Sequence, residues 1–268
     1  MESNSISLSI IGGGVMAEAV LSRLLEQQVF VADRVLVSEP RAERRDYLSQ
    51  KYRVKVTSDN QAAISAAEVL LLAVKPQVFN SVVANITPNP NSTVISILAG
   101  VTIAKLEQAF PQQPVIRVMP NTPATVGAGM TAIAAGTHAT EQHIEQAQTI
   151  FNAVGEVVAV PESSIDAVTG LSGSGPAFVA LAIEAMADGG VASGLPRAIA
   201  LQLATQTVLG TATLVRETGM HPGELKDRVT SPAGTTIAGV AKLESAGFRS
   251  ALIEAVKTAT ERSKELGK

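Results

Sequence analysis

The residue pattern changes near Pro161, and this change limits the folds that the chain can adopt. Before Pro161, short apolar runs alternate with segments that have apolar residues at helical spacing. The strand-like runs are residues 8–11, 35–37, 54–57, 69–74, 93–98, 115–118, 130–134 and 156–160, and the helical segments between them include residues 41–51, 61–67, 77–85 and 141–154. Continuously apolar runs are typical of parallel strands covered on both faces. The alternation therefore predicts a doubly wound α/β sheet with right-handed crossovers.

After Pro161 the strand pattern is absent. Helical spacing covers residues 177–190, 196–218, 237–245 and 248–266, with Gly, Pro or Ser between these segments. We therefore predict two domains, with the α/β domain at residues 1–161 and an all-helical domain at residues 162–268. Gly189, Gly190 and Gly194 would weaken a solitary helix, so we expect close packing between helices around them.

The composition favours self-association and excludes several kinds of site. Apolar residues are 46% of the 268 residues and charged residues only 17%, so apolar surface left after folding is expected to be buried between subunits. The net charge of -3 gives no electrostatic case for binding nucleic acid or an anionic membrane. The sequence has no Cys, and its three His are not spaced as a metal pair, so we expect no metal site.

The N-terminus indicates the compartment. Met1–Ser5 is polar and has neither a basic segment nor an apolar stretch followed by a cleavage site, so we do not expect a signal peptide. No apolar run is expected to be long and unbroken enough to span a bilayer. The sequence therefore predicts a cytoplasmic protein without a membrane partner.

The loop after the first strand has the pattern G-x-G-x-x-A at residues 12–17 and leads directly into a helix. Gly12 permits the tight turn, Gly14 lets the backbone approach a pyrophosphate, and Ala17 lets the helix lie close to the strand. The free N–H groups where the helix starts, at Val15 and Met16, would then hold the phosphates. A plain tight turn can carry the same pattern, but its position between strand and helix favours a dinucleotide-binding domain.

The end of the second strand carries conflicting signals about the cofactor. An acidic residue at this place, here Glu39, usually bonds the ribose 2′-OH and favours NAD. Ser38 and Arg41 could instead bind a 2′-phosphate while Glu39 points away, which favours NADPH. Arg44 and Arg45 could join them, but we prefer to interpret these two as part of a solvated helix face.

Six further segments carry a resemblance to a known family. They are residues 73–76, 96–101, 119–124, 170–177, 221–227 and 231–236, which read AVKP, SILAGV, MPNTPA, GLSGSGPA, HPGELKD and SPAGTT. Together with the nucleotide loop they resemble pyrroline-5-carboxylate reductase over essentially the whole chain. The resemblance implies a Rossmann-type domain followed by a helical oligomerisation domain. It also implies reduction of the C=N bond of 1-pyrroline-5-carboxylate to L-proline, the last step of proline biosynthesis, by NADPH, with NADH as an alternative donor.

The resemblance places the substrate at the start of a helix. It implies that the hydroxyl of Thr236 contacts the substrate nitrogen as the catalytic group, while the backbone of Gly234 and Thr235 holds the carboxylate. Free N–H groups at a helix start bind a carboxylate well, although either Thr could instead be a simple N-cap. Glu162 matches a family position near the substrate, and its alternative is an acidic residue in a surface turn.

The remaining implied cofactor contacts follow the strands of the sheet. They are Asn60, Ala73, Val74, Lys75, Pro76, Ala99 and Gly100. Ligands bind at the carboxyl ends of strands in open α/β sheets, so we expect the segment that ends the fourth strand to contact the ribose and nicotinamide half. Ala99 and Gly100 would face the nicotinamide and Asn60 the adenosine, unless Asn60 is only a helix N-cap.

The family's helical domain interlocks between subunits, so we expect at least a dimer formed through this domain, with a small-molecule substrate. Two residues depart from the family pattern. Ala233 stands where the family often has Gly, which is a mild change if its φ is negative. Val15 replaces a polar residue common in the loop and could weaken a contact to the cofactor.

Three other functions fit parts of the pattern. A two-domain hydroxy-acid dehydrogenase would carry a catalytic Lys after the glycine-rich helix start, and residues 176–197 contain no Lys. A reductase for a larger cyclic imine acid remains an alternative, because one methylene changes discrimination only modestly. A non-catalytic NADP(H)-binding regulator would lack the carboxylate site at the helix start, which this chain keeps.

Overall fold

The computed structural model describes residues 6–84 and 86–267. The polar segment Met1–Ser5 and Asn85, where the predicted helix 77–85 ends, lie outside the described residues. The chain divides into two compact units. One unit runs to Ser174 and also takes in the C-terminal residues from Thr258, and the other unit is Gly175–Lys257.

The first unit is built on one eight-stranded sheet with the order β3-β2-β1-β4-β5-β6-β7-β8. Its strands are β1 Ile6–Ile11, β2 Val35–Ser38, β3 Lys55–Thr57, β4 Ala67–Leu72, β5 Thr93–Ser96, β6 Val115–Met119, β7 Gly129–Ala135 and β8 Gly155–Ala159. Neighbouring strands are parallel except β6 and β7, which are antiparallel. The predicted strands and the doubly wound α/β class are confirmed.

Helices cover both faces of this sheet, as parallel strands require. They are α1 Val15–Glu26, α2 Ala42–Tyr52, α3 Asn60–Ala66, α4 Phe79–Val83, α5 Ile103–Ala109, α6 Glu141–Asn152 and α7 Ile165–Val168. The helices α1, α2 and α6 bury Leu21, Leu48 and Phe151 in a core on one face. On the other face, α3 and α5 bury Ile64 and Leu106. The strand order reverses between β1 and β4. In open α/β sheets such a reversal places a crevice at the carboxyl ends of the two strands.

Two glycines allow β7 and β8 to begin side by side. Gly155 has φ +147, and a Cβ added to it would lie 1.9 Å from the carbonyl oxygen of Gly129. A Cβ on Gly129 would in turn lie 2.8 Å from the carbonyl oxygen of Val154. Neither position therefore admits a side chain in this backbone.

The second unit is helical. It contains α8 Gly175–Ala192, α9 Arg197–Thr218, α10 Pro222–Arg228, α11 Thr235–Ser245 and the beginning of α12 Phe248–Gly267. Of the three glycines expected at close helix contacts, only Gly190 lies at one, because its Cβ would be 3.0 Å from that of Ala200. Gly194 instead serves a turn with φ +97, so for this position the expectation was wrong. A Cβ on Gly189 would meet open space within the single subunit, so close packing there stays a prediction for the contact between subunits.

The helical stretches Glu162–Ala192 and Arg197–Thr218 are long and apolar enough, by length and composition, to cross a membrane. The expectation that no segment would pass this test was therefore wrong. Charged and polar residues such as Glu184, Asp188 and Gln206 interrupt the apolar residues, so neither helix contains a long unbroken apolar run in the sequence. Length and composition alone are weak grounds for a membrane span, since core and interface helices pass the same test.

Candidate active site

The nucleotide loop is fixed against the ends of the neighbouring strands. Gly12 has φ +100, and a Cβ on it would lie 2.8 Å from the carbonyl oxygen of Ala73. Its N–H donates to the carbonyl oxygen of Ser38 at 2.8 Å, so the loop contacts both strands that flank β1. Only glycine combines this φ with this close approach.

The next part of the loop borders open space. No atom lies within 4 Å of a Cβ placed on Gly14, which is the N-cap of α1 and makes no side-chain hydrogen bond to the first turn. Ala17 is buried, whereas Val15 is 77% exposed. The uncapped N–H groups at the start of α1 therefore face room for a phosphate, and the residues present fit a dinucleotide.

Gly13 is held from both sides by side chains of the β2–α2 segment. Its N–H donates to Glu39 Oε2 at 3.1 Å, and its carbonyl oxygen accepts from Arg44 Nε at 2.6 Å. Arg44 also binds Glu18 on α1. The interpretation of Arg44 as part of a solvated helix face was therefore wrong, because its guanidinium joins two elements and is largely buried.

Glu39 directs its carboxylate to the nucleotide loop and to Arg41. Its carboxylate is buried, and Oε1 accepts from the backbone N–H of Arg41 at 3.2 Å and from Arg41 Nε at 2.8 Å. Burial would raise the pKa of Glu39, but the hydrogen bonds from Arg41 and Gly13 outweigh it and lower the pKa. Arg45 is also engaged, because its Nη1 donates to the carbonyl oxygens of Glu39 and Pro40 at 2.8 Å. Its interpretation as merely solvated was wrong as well.

Ser38 and Asn60 meet at the carboxyl end of β2. The hydroxyl of Ser38 donates to Asn60 Oδ1 at 2.7 Å, and Ser38 is buried. The N-cap of α3 is Asp59, whose carboxylate accepts from the N–H groups of Gln61 and Ala62. The alternative that Asn60 is only an N-cap is therefore wrong.

The residues after β4 and β5 lie at the same edge of the sheet as the nucleotide loop. The register pairs Ile11 with Leu72 and Leu72 with Ser96, so these three strands end together. Ala73, Val74, Lys75 and Pro76 follow β4 directly, and Ala99 and Gly100 follow β5. Lys75 and Ala99 are exposed, whereas Gly100 is buried with φ +74. The structure thus brings the predicted cofactor residues to one edge.

The sequence interpretation missed a buried partner of Glu162. Arg117 lies on β6 with a side chain only 5% exposed, and its Nη1 donates to Glu162 Oε1 at 2.9 Å. The same oxygen accepts from the N–H of Ile103 at 2.7 Å. Glu162 is therefore more than an acid in a surface turn. An arginine inside a predicted strand was the only signal that could have indicated this pair.

The predicted substrate residues of the helical unit begin α11. Gly234 is the N-cap and makes no side-chain hydrogen bond, so the alternative that Thr235 or Thr236 caps the helix is wrong. Thr235 is exposed and Thr236 half-buried. Ala233 has φ +56, so the condition under which this substitution would be mild is not met, and the Gly common in the family would fit this backbone with less strain.

Two further observations concern histidine and metal chemistry. His221 is the N-cap of α10, and its Nδ1 accepts from the N–H of Gly223 at 3.1 Å, as expected of a cap residue. Within residues 6–84 and 86–267, no group of three or more His, Asp or Glu side chains is arranged to hold a metal ion.

Comparison with known proteins agrees with this geometry. Residues 7–100 match a family described as NADP oxidoreductase coenzyme F420-dependent, and residues 162–266 match pyrroline-5-carboxylate reductase dimerisation. A pyrroline-5-carboxylate reductase of Synechocystis sp. is 60% identical over 265 residues, which are 98% of this chain and 99% of that protein. The chain belongs to the pyrroline-5-carboxylate reductase family. The resemblance recognised in the sequence is confirmed, and the chain is an NAD(P)-dependent oxidoreductase.

Solved structures of the family share the whole fold. The reductase from Coxiella burnetii superposes with a TM-score of 0.89 at 34% identity, and the match covers 99% of this chain and 100% of the Coxiella chain. The Plasmodium falciparum reductase with NADP bound has a TM-score of 0.89 at 30% identity and covers 100% of both chains. The helical part beyond the dinucleotide-binding sheet is thus a family feature.

Proposed function

We propose that the chain reduces the C=N bond of 1-pyrroline-5-carboxylate to give L-proline, with NADPH as the hydride donor. This reaction is the last step of proline biosynthesis. The observation that carries the proposal is the open phosphate cradle at Gly14, in a chain that is 60% identical over nearly its full length to a pyrroline-5-carboxylate reductase.

The proposed cofactor site lies along the carboxyl edge of the sheet. Its pyrophosphate would approach the backbone at Gly14 and be held by the N–H groups of Val15 and Met16, while Gly12 forms the turn and Ala17 lets α1 lie close to β1. NADPH supplies a hydride from its nicotinamide ring. The residues proposed to flank the ribose and nicotinamide half are Ala73, Val74, Lys75, Pro76, Ala99 and Gly100.

We propose that the adenosine end prefers NADPH to NADH. The Ser38–Asn60 hydrogen bond and the exposed Arg41 lie on or directly after β2, the strand whose end faces the adenosine ribose in this fold. A guanidinium binds a 2′-phosphate with charge-assisted hydrogen bonds that a 2′-OH cannot match. The measurement is kcat/KM with both cofactors, before and after Arg41→Ala. A better rate with NADH, or an unchanged ratio in the variant, would contradict the proposal.

At the substrate end, the uncapped start of α11 is proposed to bind the carboxylate through the backbone at Gly234 and Thr235. The N–H of Gly234 donates to the carbonyl oxygen of Ser231 at 3.1 Å, so the N–H of Thr235 is the first donor proposed for the carboxylate. The hydroxyl of Thr236 orients the ring nitrogen. A protonated imine already accepts hydride well, so the residues need only hold it: hydride adds to the C=N carbon, the π electrons move to nitrogen, and nitrogen keeps its proton. Glu162 is the acidic residue proposed to lie near the substrate, and its Oε1 is already bound by Arg117.

We propose a homo-oligomer, at least a dimer, that assembles through the helical domain in the cytoplasm. The exposed fractions of Leu181, Leu203 and Leu209 in a single subunit are 66%, 53% and 58%, which is more apolar surface than a monomer usually shows. We take these faces as subunit contacts and not as membrane spans. The dimerisation family match begins at residue 162, which supports a functional boundary between domains 1–161 and 162–268.

The deciding experiment measures turnover of two substrates and, separately, the binding of NADPH. NADPH oxidation is followed with 1-pyrroline-5-carboxylate and with its six-membered homologue, while NADPH fluorescence reports binding without turnover. We expect higher kcat/KM for the five-membered ring. Faster turnover of the six-membered ring would assign the larger imine acid, and binding without turnover of either would indicate a regulator.

A further inference from the structure

Glu39 connects the two halves of the proposed cofactor site. One carboxylate oxygen, Oε2, accepts the N–H of Gly13 in the nucleotide loop at 3.1 Å. The other, Oε1, accepts both Nε and the backbone N–H of Arg41, at 2.8 and 3.2 Å. Three N–H donors therefore hold a carboxylate that is only 6% exposed.

This arrangement removes Glu39 from the role that an acid usually has at the end of β2. To favour NADH, a carboxylate must offer an oxygen to the ribose 2′-OH. Oε1 of Glu39 already accepts two hydrogen bonds, and Oε2, which accepts one, belongs to a carboxylate that is only 6% exposed, so a ribose hydroxyl has little access to either oxygen.

The same bonds orient Arg41. Its side chain is 70% exposed and would otherwise move among many rotamers. Glu39 takes Nε, which leaves the edge with the two Nη groups for an anion. A guanidinium fixed in this way presents two parallel N–H groups of the kind that bind phosphate bidentately.

We propose that Glu39 is a positioning residue that selects for the 2′-phosphate by holding Arg41 in its binding orientation. The inference rests on the proposed NADPH preference. Fixing one flexible side chain before binding is worth about two- to tenfold in affinity. The opposing effect, repulsion between the carboxylate and the phosphate, is weakened because three N–H donors surround the carboxylate and Arg41 lies in solvent.

The test uses fragments that carry only the adenosine end. Calorimetry on the full-length protein measures the Kd of 2′,5′-ADP and of 5′-AMP for the wild type, Glu39→Gln, Arg41→Ala and the double variant. We expect Glu39→Gln to weaken 2′,5′-ADP about two- to tenfold more than 5′-AMP, and we expect this difference to vanish when Arg41 is already Ala. Glu43→Gln is the matched control, because it removes one exposed negative charge from the first turn of α2, close to Arg41, and leaves the Glu39–Arg41 hydrogen bonds in place. It should leave both affinities within about twofold.

Three results would overturn the proposal. Tighter 2′,5′-ADP binding by Glu39→Gln would mean that the carboxylate repels the phosphate. Equal losses for the two fragments would place the whole effect in the Gly13 contact, and a full effect in the Arg41→Ala background would exclude action through Arg41. If the wild type binds both fragments equally, the proposed NADPH preference fails. This result comes from the wild type alone, so it is distinguishable from a failure of the proposal for Glu39.

Discussion

Glu18 joins the helix after the nucleotide loop to its neighbour, and its removal tests how firmly the loop is supported. Its Oε1 accepts from Tyr52, Tyr47 and Lys51 at 2.7, 2.9 and 3.0 Å, and its Oε2 accepts from Arg44. All four donors belong to α2, while Glu18 belongs to α1. We therefore predict that Glu18→Gln destabilises the contact between these two helices.

The pKa of this carboxyl sets the size of the effect. Burial would raise the pKa of Glu18, but hydrogen bonds from Tyr52, Arg44, Lys51 and Tyr47 lower it from 4.5 to about 2. The corresponding upper limit is about 3 kcal/mol, and solvent screening at a side chain that is partly exposed reduces it to about 1–2 kcal/mol. Because the folded pKa lies below the unfolded one, this stabilisation is complete above about pH 4.5 and is lost as the pH falls towards 2.

The assay is urea unfolding of the wild type and Glu18→Gln at pH 7, 5 and 3. We expect the variant to lose about 1–2 kcal/mol at pH 7 and 5, and clearly less at pH 3. Glu26→Gln is the control, since Glu26 lies on the same helix in an exposed ion pair with Arg23 and should change stability by about 0.5 kcal/mol or less. A loss that is the same at all three pH values, or no larger than that of the control, would refute the reasoning.

The other predictions concern catalysis, cofactor binding and assembly. Thr236→Ala and Thr236→Val should lower kcat and kcat/KM together by about ten- to a hundredfold, with NADPH affinity unchanged, and normal turnover with a lowered Tm would contradict this. Arg44→Ala should raise the KM for NADPH about tenfold and leave kcat nearly unchanged in steady-state assays, because Gly13 loses its hydrogen-bond donor. An equal rise in the KM for NADPH in Arg44→Lys would agree with this prediction, whereas a lower kcat with an unchanged KM would contradict it. Light scattering at micromolar concentration should show a dimer or larger assembly, and a fully active monomer would disprove it.

The sequence predicts the sheet well and the contacts across it poorly. The strands are visible because most of them contain a short, mainly apolar run between turn residues, which depends only on local pattern. The helices α5 and α10 were not predicted, because seven residues are too few to show a clear helical spacing of apolar residues. The loop at Gly12 and Gly14 is also predictable, because its requirement is a backbone conformation that only glycine supplies.

Side-chain contacts between residues far apart in the sequence could not be predicted from local pattern. Arg44 is 31 residues from Gly13, and Arg117 is 45 residues from Glu162. Whether such an arginine faces solvent or another element depends on the register and tilt of the packed elements, which local composition does not encode. The same limit explains why Glu39 could be placed at the ribose end while the direction of its carboxylate could not.

The contact between Gly129 and Gly155 has a consequence for mapping this protein by mutation. Alanine at either position must push apart two backbones whose separation leaves no room for a methyl group. In a saturation screen scored only by growth without proline, both glycines would appear as intolerant as the residues of the active site, although neither is proposed to touch a ligand. A parallel measurement of protein abundance would separate the two classes. Variants at these glycines should be present at low abundance, while Thr236→Val should reach normal abundance and show lowered kcat.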